Sequence, residues 1–186
     1  RVVATEGLAP PRFTNDGVGR IYGAELSAQY RTGRTFASLA YTLSRSERQD
    51  RTDPWRLFEA DQTHVLALVA SRSLGRGWEI GGRLRLVSGN PYTPVTGAVY
   101  DAGLGGYVPY YGRPFSERNP TFHQLDVRGE KEWTFERLRL AVYLDVMNAY
   151  NAQNEEGYEY SFDYLEREPS TTGLPIIPNL GLRGEL

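Results

Sequence analysis

His64 and His123 are the only two histidines and the most versatile metal ligands in the chain, and each stands apart from the other. Neither belongs to an H-E-x-x-H spacing, so no zinc site of that kind is spelled out. Asp61 precedes His64 by three residues, but on one strand the two side chains would leave opposite faces. The absence of cysteine removes disulfides, thiolate nucleophiles and Cys-based zinc sites. Serines are plentiful, yet none sits in a G-x-S-x-G elbow. The glycines of residues 103–106 lie among tyrosines rather than ahead of a helix, so they make no phosphate loop. No catalytic residue, metal or cofactor is therefore expected. The candidates that remain are Tyr92, Tyr100, Tyr107, Tyr110, Tyr111 and Arg113, all within residues 91–119. Rigid rings with hydroxyl tips are what ligand-binding loops commonly use, and Glu117 and Arg118 add charge to the same segment. A loop that packs on its neighbours would carry similar residues.

Elements must hold such a loop, and residues 138–150 indicate which. Leu138, Leu140, Val142, Leu144 and Val146 alternate with Arg139, Ala141, Tyr143, Asp145 and Met147. A period of two gives a strand with one aliphatic face and one polar face. The pattern recurs along the chain. Residues 18–31 set Tyr22, Ala24, Leu26, Ala28 and Tyr30 against Glu25, Ser27, Gln29 and Arg31. Residues 35–47, 78–90, 120–133 and 176–186 alternate in the same manner, whereas 60–74 has apolar residues on both faces. Counting a remnant at 1–5, about eight strands are expected. A strand crossing a bilayer at a tilt needs about 9–11 residues, with lipid on one face and a polar lumen on the other. A soluble sandwich would alternate similarly.

Loop lengths and composition bear on that choice. The turns at 32–34, 75–77 and 134–137 are short, whereas 6–17, 48–59, 91–119 and 151–175 are long. Short turns at one rim and long loops at the other are the pattern of outer-membrane barrels. The fold class expected is all-β, with antiparallel transmembrane β-barrel strands, short periplasmic turns and long extracellular loops. No run approaches the ~18 apolar residues of a membrane helix, which leaves barrels untouched. The chain has 13 Tyr and 3 Trp; Trp78 and Trp133 flank short turns, where interfacial anchors belong. Net charge is −2, from 21 basic and 23 acidic residues interspersed, so nucleic acid is not an expected partner.

Four patches, in order, resemble the C-terminal barrel of TonB-dependent outer-membrane receptors. They are Asn15-Asp16-Gly17 with Tyr22-Gly23-Ala24-Glu25-Leu26, then Asp61-Gln62-Thr63-His64, then Ser88-Gly89-Asn90-Pro91-Tyr92-Thr93-Pro94, then Asp145-Val146-Met147-Asn148-Ala149-Tyr150-Asn151. The resemblance implies a 22-stranded barrel with a plugged lumen, of which residues 1–186 would be about the last third. It implies import of a scarce nutrient, such as a siderophore, vitamin, glycan or peptide, across the outer membrane of a Gram-negative cell. Membrane lipid, the TonB complex and the plug would be partners, the last two through an N-terminal region outside this sequence. The C-terminus would be periplasmic. One departure is Leu186, where such barrels commonly end in an aromatic residue. Two alternatives stand beside this reading. One is a separate eight-stranded barrel, filled by side chains and acting as an anchor or passive channel. The other is an outer-membrane hydrolase using loop Asp, His or Ser residues.

Overall fold

The computed structural model describes residues 3–4, 13–14, 16–51, 53–171 and 173–186, and among them there is no helix. Strands β1 (Val3–Ala4) and β2 (Phe13–Thr14) pair only with each other. β3 (Gly17–Thr32) and β4 (Thr35–Asp50) form a long hairpin, and β5 (Arg56–Leu57) folds back on β4. β6 (His64–Gly75) and β7 (Trp78–Val87) form the next hairpin. The segment that follows holds β8 (Pro91–Tyr92), β9 (Val95–Asp101), β10 (Gly106–Tyr111) and β11 (Glu117–Arg118), paired as β8 with β11 and β9 with β10. β12 (Phe122–Thr134) and β13 (Arg139–Met147) come next. β14 (Glu155–Tyr160) and β15 (Arg167–Thr171) pair with each other ahead of β16 (Ile177–Glu185).

The long strands make one antiparallel meander, β3-β4-β6-β7-β12-β13-β16. Its register carries each strand's alternation across the whole sheet. Leu26 faces Tyr41, Leu39 faces Leu68, Leu68 faces Leu84, and Leu84 faces Leu125. Beyond β12, Val127 faces Val146, and Leu144 faces Leu180. One face is therefore aliphatic from edge to edge. Aromatic rings bound it at both ends. Tyr22, Tyr41, His64 and His123 lie toward the long connections, with Tyr150 bonded to His123; Tyr30, Trp78 and Trp133 lie toward the short turns. Tyr22 to Tyr30 is about 27 Å along the strand, or about 20 Å along a membrane normal at a 40° tilt, before the rings add their own length. Lys131 Nζ lies 5.5 Å from the Trp78 ring and 5.4 Å from the Trp133 ring, so its stem crosses the aliphatic face only at the rim.

The other face is polar and ion-paired. Arg83 is bonded to Asp126 at 2.7 Å, and Arg128 to both Glu130 at 2.6 Å and Asp145 at 3.0 Å. Arg183 on β16 reaches Glu130 at 2.9 Å. Near that edge the Tyr143 ring lies flat over Gly181. A Cβ at Gly181 would stand 2.1 Å from Tyr143 Cζ, so the ring occupies the space that a side chain would need. Arg128 stacks on the same ring at 4.0 Å.

A core is what the sheet lacks. Apart from Pro91 and Pro94 in the connection between β7 and β12, Ala141 and Ala152 are the only buried apolar side chains among the described residues. Leu26, Leu180 and Leu182 are 59%, 74% and 70% exposed. A soluble domain of this length buries most of its aliphatic side chains, because that burial opposes the entropy of ordering the chain.

Several expectations need correction. The sheet is open, because β3 and β16 do not pair with each other. Seven long strands compose it, and its eighth member is the two-residue β5 rather than the 1–5 segment. Of that segment Val3–Ala4 pairs outside the sheet, and the rest lies outside the described residues, as does most of the expected loop at 6–17. β4 continues through Asp50, into what reads as the 48–59 loop. β13 stops at Met147 because Asn148 turns the backbone to φ 51°. β7 stops at Val87, and Ser88 instead exchanges bonds with His64, donating its N–H to the carbonyl and accepting the His64 N–H on Oγ. The 91–119 and 151–175 loops contain hairpins of their own. The Gly75-Arg76-Gly77 turn is as short as expected; a Cβ at Gly77, at φ 77°, would fall 2.1 Å from the Glu132 carbonyl oxygen.

Candidate functional site

The long-connection end of the sheet holds the residues that sequence reasoning singled out, tied into three arrangements. The first is a lock. Asp61 belongs to the turn ahead of β6 rather than to a strand, and it is almost completely buried. It accepts from the Ser46 N–H at 2.5 Å, from Thr63 Oγ1 at 2.8 Å and from Arg118 Nη2 at 2.5 Å. Arg118 Nη1 also donates to the carbonyls of Asp61 and Gly89. Burial pushes the Asp61 carboxyl up, but the Arg118 guanidinium, the Ser46 N–H and the Thr63 hydroxyl outweigh it and hold the carboxyl below the usual carboxylate range. Arg118, read from sequence as ligand-facing charge, is spent inside the protein.

The second arrangement involves the histidines. His64 Nδ1 and Tyr41 Oη are 2.8 Å apart, and so are His123 Nδ1 and Tyr150 Oη. The Asn154 side chain accepts from the His123 N–H at 2.9 Å and donates to the His123 carbonyl at 3.0 Å, acting as the next strand where β13 has ended. Asn148 Nδ2 donates to the carbonyls of Ala152 and Leu174, while Asn148 Oδ1 accepts the Ala152 N–H. The motif residues Asp61, His64, Ser88 and Asn148 thus lock the upper ends of strands. Motif spacing revealed their positions and not their partners.

The third arrangement is aromatic. Tyr92 stands apart from the other candidates. Its hydroxyl donates to Glu117 Oε2 at 2.6 Å and accepts from Arg167 Nη1 at 3.1 Å, and its ring leans on Tyr158. Burial and the Glu117 hydrogen bond raise its pKa far above the ordinary tyrosine value. Tyr100 and Tyr107 come together edge to face at 5.3 Å near the tip of the β9–β10 hairpin. Tyr107 continues edge to face onto Phe162, at the tip of the β14–β15 hairpin. An open cleft of about 410 Å³ between the two tips is lined by Gly106, Tyr107, Tyr160, Ser161, Phe162 and Tyr164. Tyr158, Tyr160, Phe162 and Tyr164 are spaced by two, but they do not share one strand: β14 ends at Tyr160 and Tyr164 sits at φ 59° in the turn. Beside them Asp163 is held below the usual carboxylate range by Ser161 and the Leu165 N–H. Tyr110 and Tyr111 are exposed, and Arg113 is exposed without an ion-pair partner among the described residues.

Comparison with known proteins returns no matching family model, no matching curated protein and no matching solved structure. What the rim can do must be argued from its own chemistry.

A further cleft, polar rather than aromatic, opens at the same end. It measures about 390 Å³, and its walls include Gln62, Arg85, Ser88, Asn90, Asn119 and Phe122. Sequence reasoning assigned none of these a ligand role. With Asn154, Glu155 and Glu156 they come from four separate segments that the fold brings together.

Proposed function

We propose that the chain is a portion of the wall of an outer-membrane β-barrel, the C-terminal part of a TonB-dependent receptor that imports a scarce nutrient. The observation that carries this reading is the edge-to-edge aliphatic face, bounded by aromatic rings at both ends, on a sheet with almost no buried apolar side chain. Such a face is costly in water and favourable against lipid, at about 25 cal/mol per Å² of apolar surface removed from water. The charged network on the opposite face suits a lumen occupied by water or a polar plug. The open edges at β3 and β16 leave room for further strands, as a larger barrel requires, and they favour it over a closed eight-stranded barrel. On this reading the aliphatic face meets outer-membrane lipid, and the TonB complex acts through a plug-bearing region outside this sequence. The long-connection rim is extracellular, where it would meet the ligand, and the C-terminus is periplasmic.

Single cysteines in this Cys-free chain test the sidedness in intact cells. Gly33 and Gly105 are poor sites, because both have positive φ. Leu104→Cys, in the exposed β9–β10 turn, and Arg34→Cys, in the exposed β3–β4 turn, avoid that strain. A membrane-impermeant thiol reagent should label the first and spare the second. The reverse pattern inverts the orientation, and labelling of both removes the membrane reading. Uptake that persists without TonB would remove the receptor reading.

A further inference from the structure

Two buried side-chain atoms that lack a hydrogen-bond partner among the described residues, Arg85 Nε and Asn119 Oδ1, belong to residues that line the same polar cleft. Buried polar groups in folded proteins are nearly always satisfied, so an orphan donor and an orphan acceptor in one cavity call for an explanation. Their roles are fixed by the bonds that their other atoms make. Asn119 Nδ2 donates to the Glu156 carbonyl at 3.0 Å, which makes Oδ1 the acceptor that is left without a partner. Arg85 Nη2 donates to Gln124 Oε1 at 2.7 Å, which anchors the guanidinium and leaves Nε as a buried donor without a partner.

The cleft needs a ligand that accepts at one point and donates at another. We propose that it is a binding site for a neutral polyhydroxylated ligand, a carbohydrate, whose hydroxyls take Arg85 Nε and Asn119 Oδ1 at once. A hydroxyl both donates and accepts, so a run of them suits mixed partners. Gln62 and Asn90 extend the amide lining, and their mutual contact is long, at 3.5 Å, so both amides stay free to serve hydroxyls. Val87, Pro120 and Phe122 give the apolar patch that the C–H face of a sugar ring covers. Anions are disfavoured. Glu155 and Glu156 line the cleft beside its one cation, Arg85, so an anion would meet two like charges there. Strongly apolar ligands would strand the amides. The proposal rests on the receptor reading, from which it selects the glycan class, but its chemistry is tested without it.

The test is a titration of purified protein in an oxyethylene detergent, which carries no sugar headgroup, followed by saturation-transfer NMR. The probes are maltose, N-acetyl-alanyl-alanine amide and inorganic phosphate. Maltose is expected to bind and the other two to bind at least about tenfold more weakly, in line with the loss of several matched hydrogen bonds. Asn119→Leu and Arg85→Met should each weaken maltose about tenfold, whereas Glu136→Ala, in the exposed β12–β13 turn at the opposite end of the sheet, should leave it unchanged. Should Arg85→Met fail to fold, Asn90→Ala at the cleft mouth serves in its place, with a loss of a few fold. Preference for the peptide or for phosphate overturns the proposal, as does maltose binding that ignores the cleft variants. No binding by any probe means that water alone fills the cleft, and this too overturns it. Because the titration needs no cells, its failure leaves the thiol-labelling result standing, and the converse holds.

Discussion

Arg118 Nη2 sits 2.5 Å from Asp61 Oδ2, joining residues 57 apart in sequence and tying the β8–β11 segment to the turn before β6. Asp61 is 1% exposed and Arg118 29% exposed, so the pair is screened on one side only. Removing the arginine strands a buried carboxylate.

Arg118→Ala should therefore lower stability by about 2–3 kcal/mol, below the 3–5 kcal/mol of a fully buried pair because water reaches Arg118. Denaturant unfolding, followed by fluorescence of Trp55 with Trp78 and Trp133 replaced by Phe, would measure it. A change under ~0.5 kcal/mol would mean that the lock is ornamental.

Acid should open the same lock. Folding lowers the Asp61 pKa, so as pH falls the unfolded chain takes up the proton first. The contribution is complete above the ordinary carboxylate value of about 3.9 and fades as pH drops below it toward the lower folded value. The Trp55 signal should show a transition in that window, and Asp61→Asn should abolish it.

Depth along the aliphatic face gives a third expectation. Leu144→Arg, opposite Leu180 and deeper on the aliphatic face than the Lys131–Val142 pair, should cost roughly 2–4 kcal/mol in a membrane-folding titration, while Leu140→Arg, opposite Trp133 at the rim, should cost about 0–1. Equal costs at the two depths would argue against lipid on that face.

Gly181→Ala should displace the Tyr143 ring, and with it the Arg128 stack, at a cost of about 1–3 kcal/mol. Combined with Tyr143→Ala, the penalty should shrink, because the ring that collides is gone. Strict additivity in that cycle would show that the ring does not need the glycine.

Asn154→Leu leaves both the N–H and the C=O of His123 without partners, for about 2–3 kcal/mol by denaturant unfolding. Faster amide exchange at His123 should accompany the loss.

The fold was legible where period two was clean. Leu140, Val142, Leu144 and Val146 share the face expected of them, and Arg83 and Asp126 meet on the other. Strand ends were less legible, because side chains far away in sequence decide them. Asn154 extends the pairing of β12 past the end of β13, and nothing near His123 in the sequence announces it. Tyrosine composition pointed to the rim but not to its groupings. Tyr92 is held by Glu117 and Arg167, whereas Tyr107 is met by Phe162, from the tip of a hairpin inside what reads as the 151–175 loop. The polar cleft was invisible for the same reason: Arg85 and Asn119 become neighbours only through the register of β7 and β12.

The connection between β7 and β12 is a nest of pairs, β9 with β10 inside β8 with β11 inside the two long strands. β14 with β15 is nested likewise between β13 and β16, and the two long strands at the other edge meet across the tight Gly33-Arg34 turn. Each inner pair shortens the loop that the next pair must close, so the entropy of closure is met in small instalments. Every long strand also hydrogen-bonds to the one made just before it. Such low contact order favours rapid zippering from the hairpin tips outward, and the wall can be laid down in the order in which it is synthesised.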